Sequence, residues 1–141
     1  MNNILLLDAG PLGRLARLEP HPDISYWFDA QIELGRILIV PEIADYEVRR
    51  DLIQAKLHSS LDRLDALAEE LVYLPINTET MRKAALFWAQ SRQRGKPTSD
   101  RHALDADAIL AAQAVEIGGM VITENPGHLQ QWVSVKHWRD F

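Results

Sequence analysis

The chain has 141 residues, 47% hydrophobic and 25% charged, a length and balance suited to one globular domain with its own core. It has no cysteine, which excludes disulfides, thiol nucleophiles, thiolate zinc sites and iron–sulfur clusters and fits a reducing cytoplasm. A formal net charge of −5 excludes a protein that grips nucleic acid by bulk charge alone, and no apolar run approaches the roughly 18 residues of a membrane span.

Ile4–Leu7 reads as a first strand, apolar on both faces and therefore buried. Gly10 and Pro11 open a short helix to about Leu18, broken by Pro20-His21-Pro22. A second helix runs from about Asp23 to Leu34, stopped by Gly35. Ile37–Val40 is the second strand. Pro41, whose missing N–H would lack a partner in a first turn, opens a helix to about Lys56. Ser59 or Ser60 is expected to cap the next helix, through Glu70. Leu71–Ile76 is a third strand, and Thr78 starts a long helix with Met81, Ala84, Ala85, Trp88 and Ala89 at helical spacing. Arg92–His102, with Gly95 and Pro97, reads as a loop. A helix from about Asp105 to Ile117 follows, then a strand at Met120–Thr123, a turn at Asn125–Gly127 and a short strand at Val133–Lys136. Short apolar runs alternating with helices predict a single α/β domain over 1–141, a three-layer α/β/α sandwich around a parallel sheet of four to five strands.

Open sheets of this class bind ligands beyond the carboxyl ends of their strands, and acids gather there. Asp8 follows the first strand, where it also suits a helix N-cap. Glu47 lies one turn inside the helix after the second strand, where the helix dipole gives no reason for it. Asp105 and Asp107, about 200° apart on a helix, cannot both face one point; Asp105 is expected to cap the helix and Asp107 to lie in its first turn. Thr123, Glu124 and Asn125 follow the fourth strand. Two carboxylates about 4 Å apart repel by roughly 4 kcal/mol at an effective dielectric near 20, so a cluster of three calls for protons or a cation. Mg²⁺, which takes one or two carboxylates and keeps waters, suits such a cluster.

Four segments, LLLDAGPL around Asp8, EVRRDL from Glu47, DADAILAAQA around Asp107 and VITEN ending at Asn125, resemble the PIN-domain nucleases, including the toxin half of type II toxin–antitoxin modules. The resemblance implies strand order 3-2-1-4-5 and Mg²⁺- or Mn²⁺-dependent endonucleolytic cleavage of RNA. Position by position it makes Asp8, Glu47 and Asp107 the metal-binding acids and Asn125 a fourth catalytic position, with Thr123, Asp105 and His128 as supporting residues. Family members often carry an acid where His128 stands here, which bears on whether a second ion binds. Arg49, Arg50, Arg94, Lys96 and Arg101 are the candidate RNA contacts, and the resemblance also implies an antitoxin partner and a homodimer. The rival reading is a PIN-fold module with little or no catalysis that binds RNA or another protein.

Overall fold

A computed structural model describes residues 2–94 and the backbone from 101 to 141, with side chains from Leu104 onward in the latter segment. Five strands, β1 (Ile4–Leu7), β2 (Ile37–Pro41), β3 (Val72–Leu74), β4 (Met120–Ile122) and β5 (Val135–Lys136), form one sheet in the order β3-β2-β1-β4-β5. All four pairings are parallel, with Leu5 opposite both Leu38 and Met120. The sheet is therefore the one expected, and its middle strand is the first in the chain. Leu5, Leu6 and Leu7 are all fully buried, as a central parallel strand covered on both faces requires.

The pleat sends these leucines to opposite layers. Leu5 and Leu7 join Leu12, Leu15, Ile24, Trp27, Leu64 and Leu67, which come from helices α1 (Ala9–Leu15), α2 (Pro22–Glu33) and α4 (His58–Glu70). Leu6 joins Ile39, Leu110, Ala111 and Ala114 on the other face, beneath α6 (Arg101–Ile117) and its partner α5 (Thr78–Gln93). Helix α3 (Glu42–Gln54) contributes Ile43 to this second cluster and Ala44 and Val48 to the first. It thus contacts both layers where β2 ends, which places its side chains beside the carboxyl edge of the sheet. No helix among the described residues is long and apolar enough to cross a membrane.

Several local expectations are corrected. Helix α1 ends at Leu15 rather than Leu18. The cap of α4 is Leu57, without a side-chain bond, and not Ser59 or Ser60; both serines lie inside its first turn. Asn77 caps α5 through a reciprocal pair with Thr80, and α5 continues through Gln93, into the stretch expected to be loop. Helix α6 begins at Arg101, four residues before the expected Asp105, so Asp105 is not its cap and Asp107 is not in its first turn. The turn after β4 winds into a 3₁₀ helix at Gly127–Gln131.

Gly119 leads into β4 against the bare face of β1. A Cβ there would collide with Leu6 Cδ1 and lie 3.0 Å from Ile4 Cγ2. Leu6 is fully buried in the core beneath α6, so its methyl must shift against packed neighbours. Gly119→Ala is expected to destabilise the fold by about 1–3 kcal/mol, read as a lower urea midpoint with unchanged slope.

Candidate active site

Asp8 closes β1. Its N–H continues the ladder to the Ile122 carbonyl at 2.9 Å, and its extended backbone makes it the N-cap of α1. The two carboxylate oxygens have different partners. Oδ1 accepts from the Ala9 N–H at 2.7 Å and Oδ2 from the Thr123 hydroxyl at 2.7 Å. Thr123, only 1% exposed, in turn accepts from the Asn125 N–H at 3.1 Å. The end of β4 thereby fixes the rotamer of an acid on β1, 115 residues away. Burial pushes the Asp8 carboxyl above its ordinary value; the bonds from Thr123 and Ala9 oppose this, and the charge of Glu124 adds to it.

Glu47 reaches the same place from α3 and Asp107 from α6. Burial raises the Glu47 carboxyl to about 7, with further increments from the charges of Asp8 and Asp51 and partial relief from Arg50. Asp107 is also raised to about 7, first by burial and then by the charges of Asp8 and Glu47. The three acids thus occupy one electrostatic neighbourhood, and each ionises at the expense of the others. They are coupled through space without closing into a cage: among the described residues, no three His, Asp or Glu side chains stand in ready metal-holding geometry.

Among the described residues, the cations nearby do not fill the cup. Arg50 comes only to 4.0 Å of Glu47 and lies over the Tyr46 ring. Arg14 is held by Glu124, with Nε at 2.9 and 2.7 Å from the two carboxylate oxygens. Burial works against ionised Glu124, but the Arg14 bond and charge and the nearby Trp138 indole outweigh it, and its carboxyl lies below the ordinary value. The indole N–H of Trp138 acts by proximity, since it closes no hydrogen bond of its own. Glu124 also packs on bare backbone: a Cβ on Gly10 would lie 2.7 Å from its Oε1. Glu124 is therefore an ion-paired neighbour of Asp8 and not a free fourth acid.

The other sequence candidates separate. Asn125 stands beside the cup through its backbone N–H to Thr123, with an exposed side chain. Asp105 points elsewhere, into a groove between α5 and α6 lined by Met81, Ala84, Ala85, Trp88 and Ile109; its helical offset from Asp107 enforces this. His128 is half-buried in the 3₁₀ helix after β4. Arg49 turns away from the acids into a network of Asp45, Asp65 and Tyr73, bonding Asp45 at 3.0 Å and Asp65 at 2.8 Å while the Tyr73 hydroxyl donates to Asp45 at 2.7 Å, and it is not free to contact RNA. Arg94 is exposed at the end of α5 and bonded to Gln131 at 3.3 Å. Lys96 and the side chain of Arg101 lie outside the described residues. Sequence reasoning missed Arg14. Its only local signal is a base six residues after Asp8, facing the two glycines Gly10 and Gly13 in the short helix.

The donor set fits a hard divalent cation. It consists of carboxylate oxygens, those of Asp8 already accepting from Ala9 and Thr123, and among the described residues the ion pair made to them, Arg50 to Glu47, is a loose 4.0 Å. Comparison with solved structures finds the same architecture in proteins of low sequence identity. FitAcB from Neisseria gonorrhoeae superposes with a TM-score of 0.74 at 20% identity, covering 97% of this chain and 99% of that one. VapBC2 from Rickettsia felis, bound to a DNA fragment from its promoter, gives 0.77 at 14%, covering 96% and 98%. VapBC-1 from nontypeable Haemophilus influenzae gives 0.70 at 17%, with the same coverage. No curated protein sequence matches the chain. The PIN domain model matches residues 5–131, a span that takes in all three coupled acids and Thr123, and the chain belongs to the PIN domain family.

Proposed function

We propose that the protein is a metal-dependent endoribonuclease of PIN type, with Asp8, Glu47 and Asp107 holding Mg²⁺ or Mn²⁺. The observation that carries this reading is the mutual coupling of three acids from three distant segments at the carboxyl edge of β1. PIN domains are generally nucleases, and such crowding is costly to a fold unless a bound cation offsets it. When bound, the ion supplies the charge that activates a water and offsets the developing charge on the scissile phosphate.

The chain's own residues do the rest. Asp8 is the fixed member, held by Ala9 and Thr123 so that its carboxylate does not rotate. Glu47 and Asp107, each poised near neutrality, are the members that exchange protons for the cation. Thr123 holds its proton toward Asp8, and Asn125 steadies Thr123 through its backbone. Arg50 stands at the rim beside Glu47, where it can meet an RNA phosphate.

The neighbouring structures are of two-component complexes, and we extend the proposal to an antitoxin partner, a toxin role and a cytoplasmic site of action, with a homodimer as the assembly carried by resemblance. The core proposal is tested by incubating the purified chain with single-stranded RNA. Internal cleavage is expected with Mn²⁺ or Mg²⁺ and not with EDTA. Cleavage that persists in EDTA overturns the metal assignment. Metal uptake by calorimetry with no cleavage of any RNA favours the binding-module reading instead.

A further inference from the structure

The helices that carry Glu47 and Asp107 are joined by one buried polar side chain. Gln113 lies on α6, six residues beyond Asp107, and is fully buried between Ala112 and Ala114, themselves fully buried. Its amide nitrogen donates to the Leu74 carbonyl at the end of β3 at 2.8 Å. Its amide oxygen accepts a longer bond, 3.4 Å, from the Ile43 N–H in the first turn of α3.

That N–H needs a partner from outside its helix. The first N–H groups of any helix have none within it, and the residue before α3 is Pro41, which offers no side-chain cap. Glu42 also turns outward, accepting the Ile76 N–H at 2.8 Å. The start of α3 is thus fastened by the loop after β3 and, through Gln113, by α6. Glu47 follows Ile43 by one helical turn. A displacement of α3 along α6 moves Glu47 relative to Asp107 directly, because a helix transmits a shift at one turn to the next.

A buried amide is costly to a fold when unsatisfied, so this position would be expected to hold an apolar residue if packing were its whole purpose. We propose that Gln113 is a positioning residue for the metal centre: it sets the spacing of Glu47 and Asp107 by bonding α6 to α3 and to the end of β3. The inference rests on the metal-dependent reading above.

The test is Mn²⁺ affinity by calorimetry, without reference to cleavage. Gln113→Met keeps length and removes both bonds. It is expected to weaken Mn²⁺ binding about tenfold, the lower end for groups that orient metal ligands. Thr80→Val is the control: it cuts the tie from Thr80 to Asn77 and Glu116, which joins α5 to the far end of α6, and is expected to leave affinity within about twofold of wild type. Where the methionine variant does not fold, Gln113→Asn, one methylene too short to span both partners, is expected to show the same loss. Wild-type affinity in the Gln113 variant, or equal losses in it and in Thr80→Val, overturns the positioning role. Failure of the site itself reads differently, as wild-type Mn²⁺ affinity in Asp107→Asn.

Discussion

Asp107→Asn is expected to lower RNA cleavage by at least about a hundredfold and, in the absence of metal, to make the protein more stable. The two effects have one origin. Asp107 is half-buried beside Asp8 and Glu47, and its carboxyl is raised to about 7, so at pH 8 the folded state holds an ionised group it would rather see protonated. Asparagine keeps the shape and removes the charge. A partly solvated carboxylate recovers much of that cost through water, leaving a gain of about 1–2 kcal/mol, or about 3–8 °C in Tm for a chain of this size. Asp8→Asn is expected to abolish cleavage with a smaller gain, because Asp8 accepts two hydrogen bonds that the amide reproduces only in part. Melting curves in EDTA beside cleavage assays in Mn²⁺ decide the matter. A variant that is inactive and also less stable points to a structural role for Asp107; a variant that cuts at the wild-type rate removes it from the site.

The second large effect is a crossover in stability with pH. Asp107 titrates near 3.8 when unfolded and at about 7 when folded, and Glu47 moves from 4.5 to about 7. Below about pH 4 both groups are protonated in both states and contribute nothing. Between about pH 4 and 7 the folded state binds protons that the unfolded state has released, so metal-free stability falls as pH rises. Above about 7 the loss is complete. A divalent cation competes with those protons, so Mn²⁺ is expected to raise Tm strongly at pH 8 and little at pH 5. At a hundred times its dissociation constant the ion adds about 2.7 kcal/mol. Equal increments at both pH values would show that the ion binds away from these carboxyls.

The strands were legible because each is marked locally, whereas the three principal acids were joined into one candidate site only by the family resemblance. Ile4–Leu7 is apolar at consecutive positions, which only a buried strand or core helix accommodates, and Asp8 interrupts it at the point where a turn must begin. The helix dipole gives no reason for Glu47, yet a mid-helix glutamate taken alone reads as solvent-exposed, and it was the resemblance that singled it out. The start of α6 was misplaced because Asp105 resembles a cap, whereas the helix had already begun at Arg101. The ties that complete the site carry no such local mark. Arg14 and Glu124 are 110 positions apart and Gln113 and Ile43 are 70, and each pair is polar chemistry made unambiguous only by burial. Gln113 looks like one solvent-facing residue in an alanine-rich helix until the fold surrounds it. Arg49 is the complementary case: a basic residue next to a candidate acid suggests a substrate contact, while burial and packing pair its side chain with Asp45 and Asp65.

The place of β1 at the centre of the sheet has a consequence for the timing of synthesis. Asp8 leaves the ribosome well before its ladder partner Ile122 and its hydroxyl donor Thr123, which are translated more than a hundred residues later. A nascent polypeptide that has extruded everything through α6 still has an open flank on its innermost strand and an unanchored carboxylate. The proposed RNA-cutting competence therefore waits until β4 and Thr123 have been made and released to pair with β1, and a growing chain short of them lacks it.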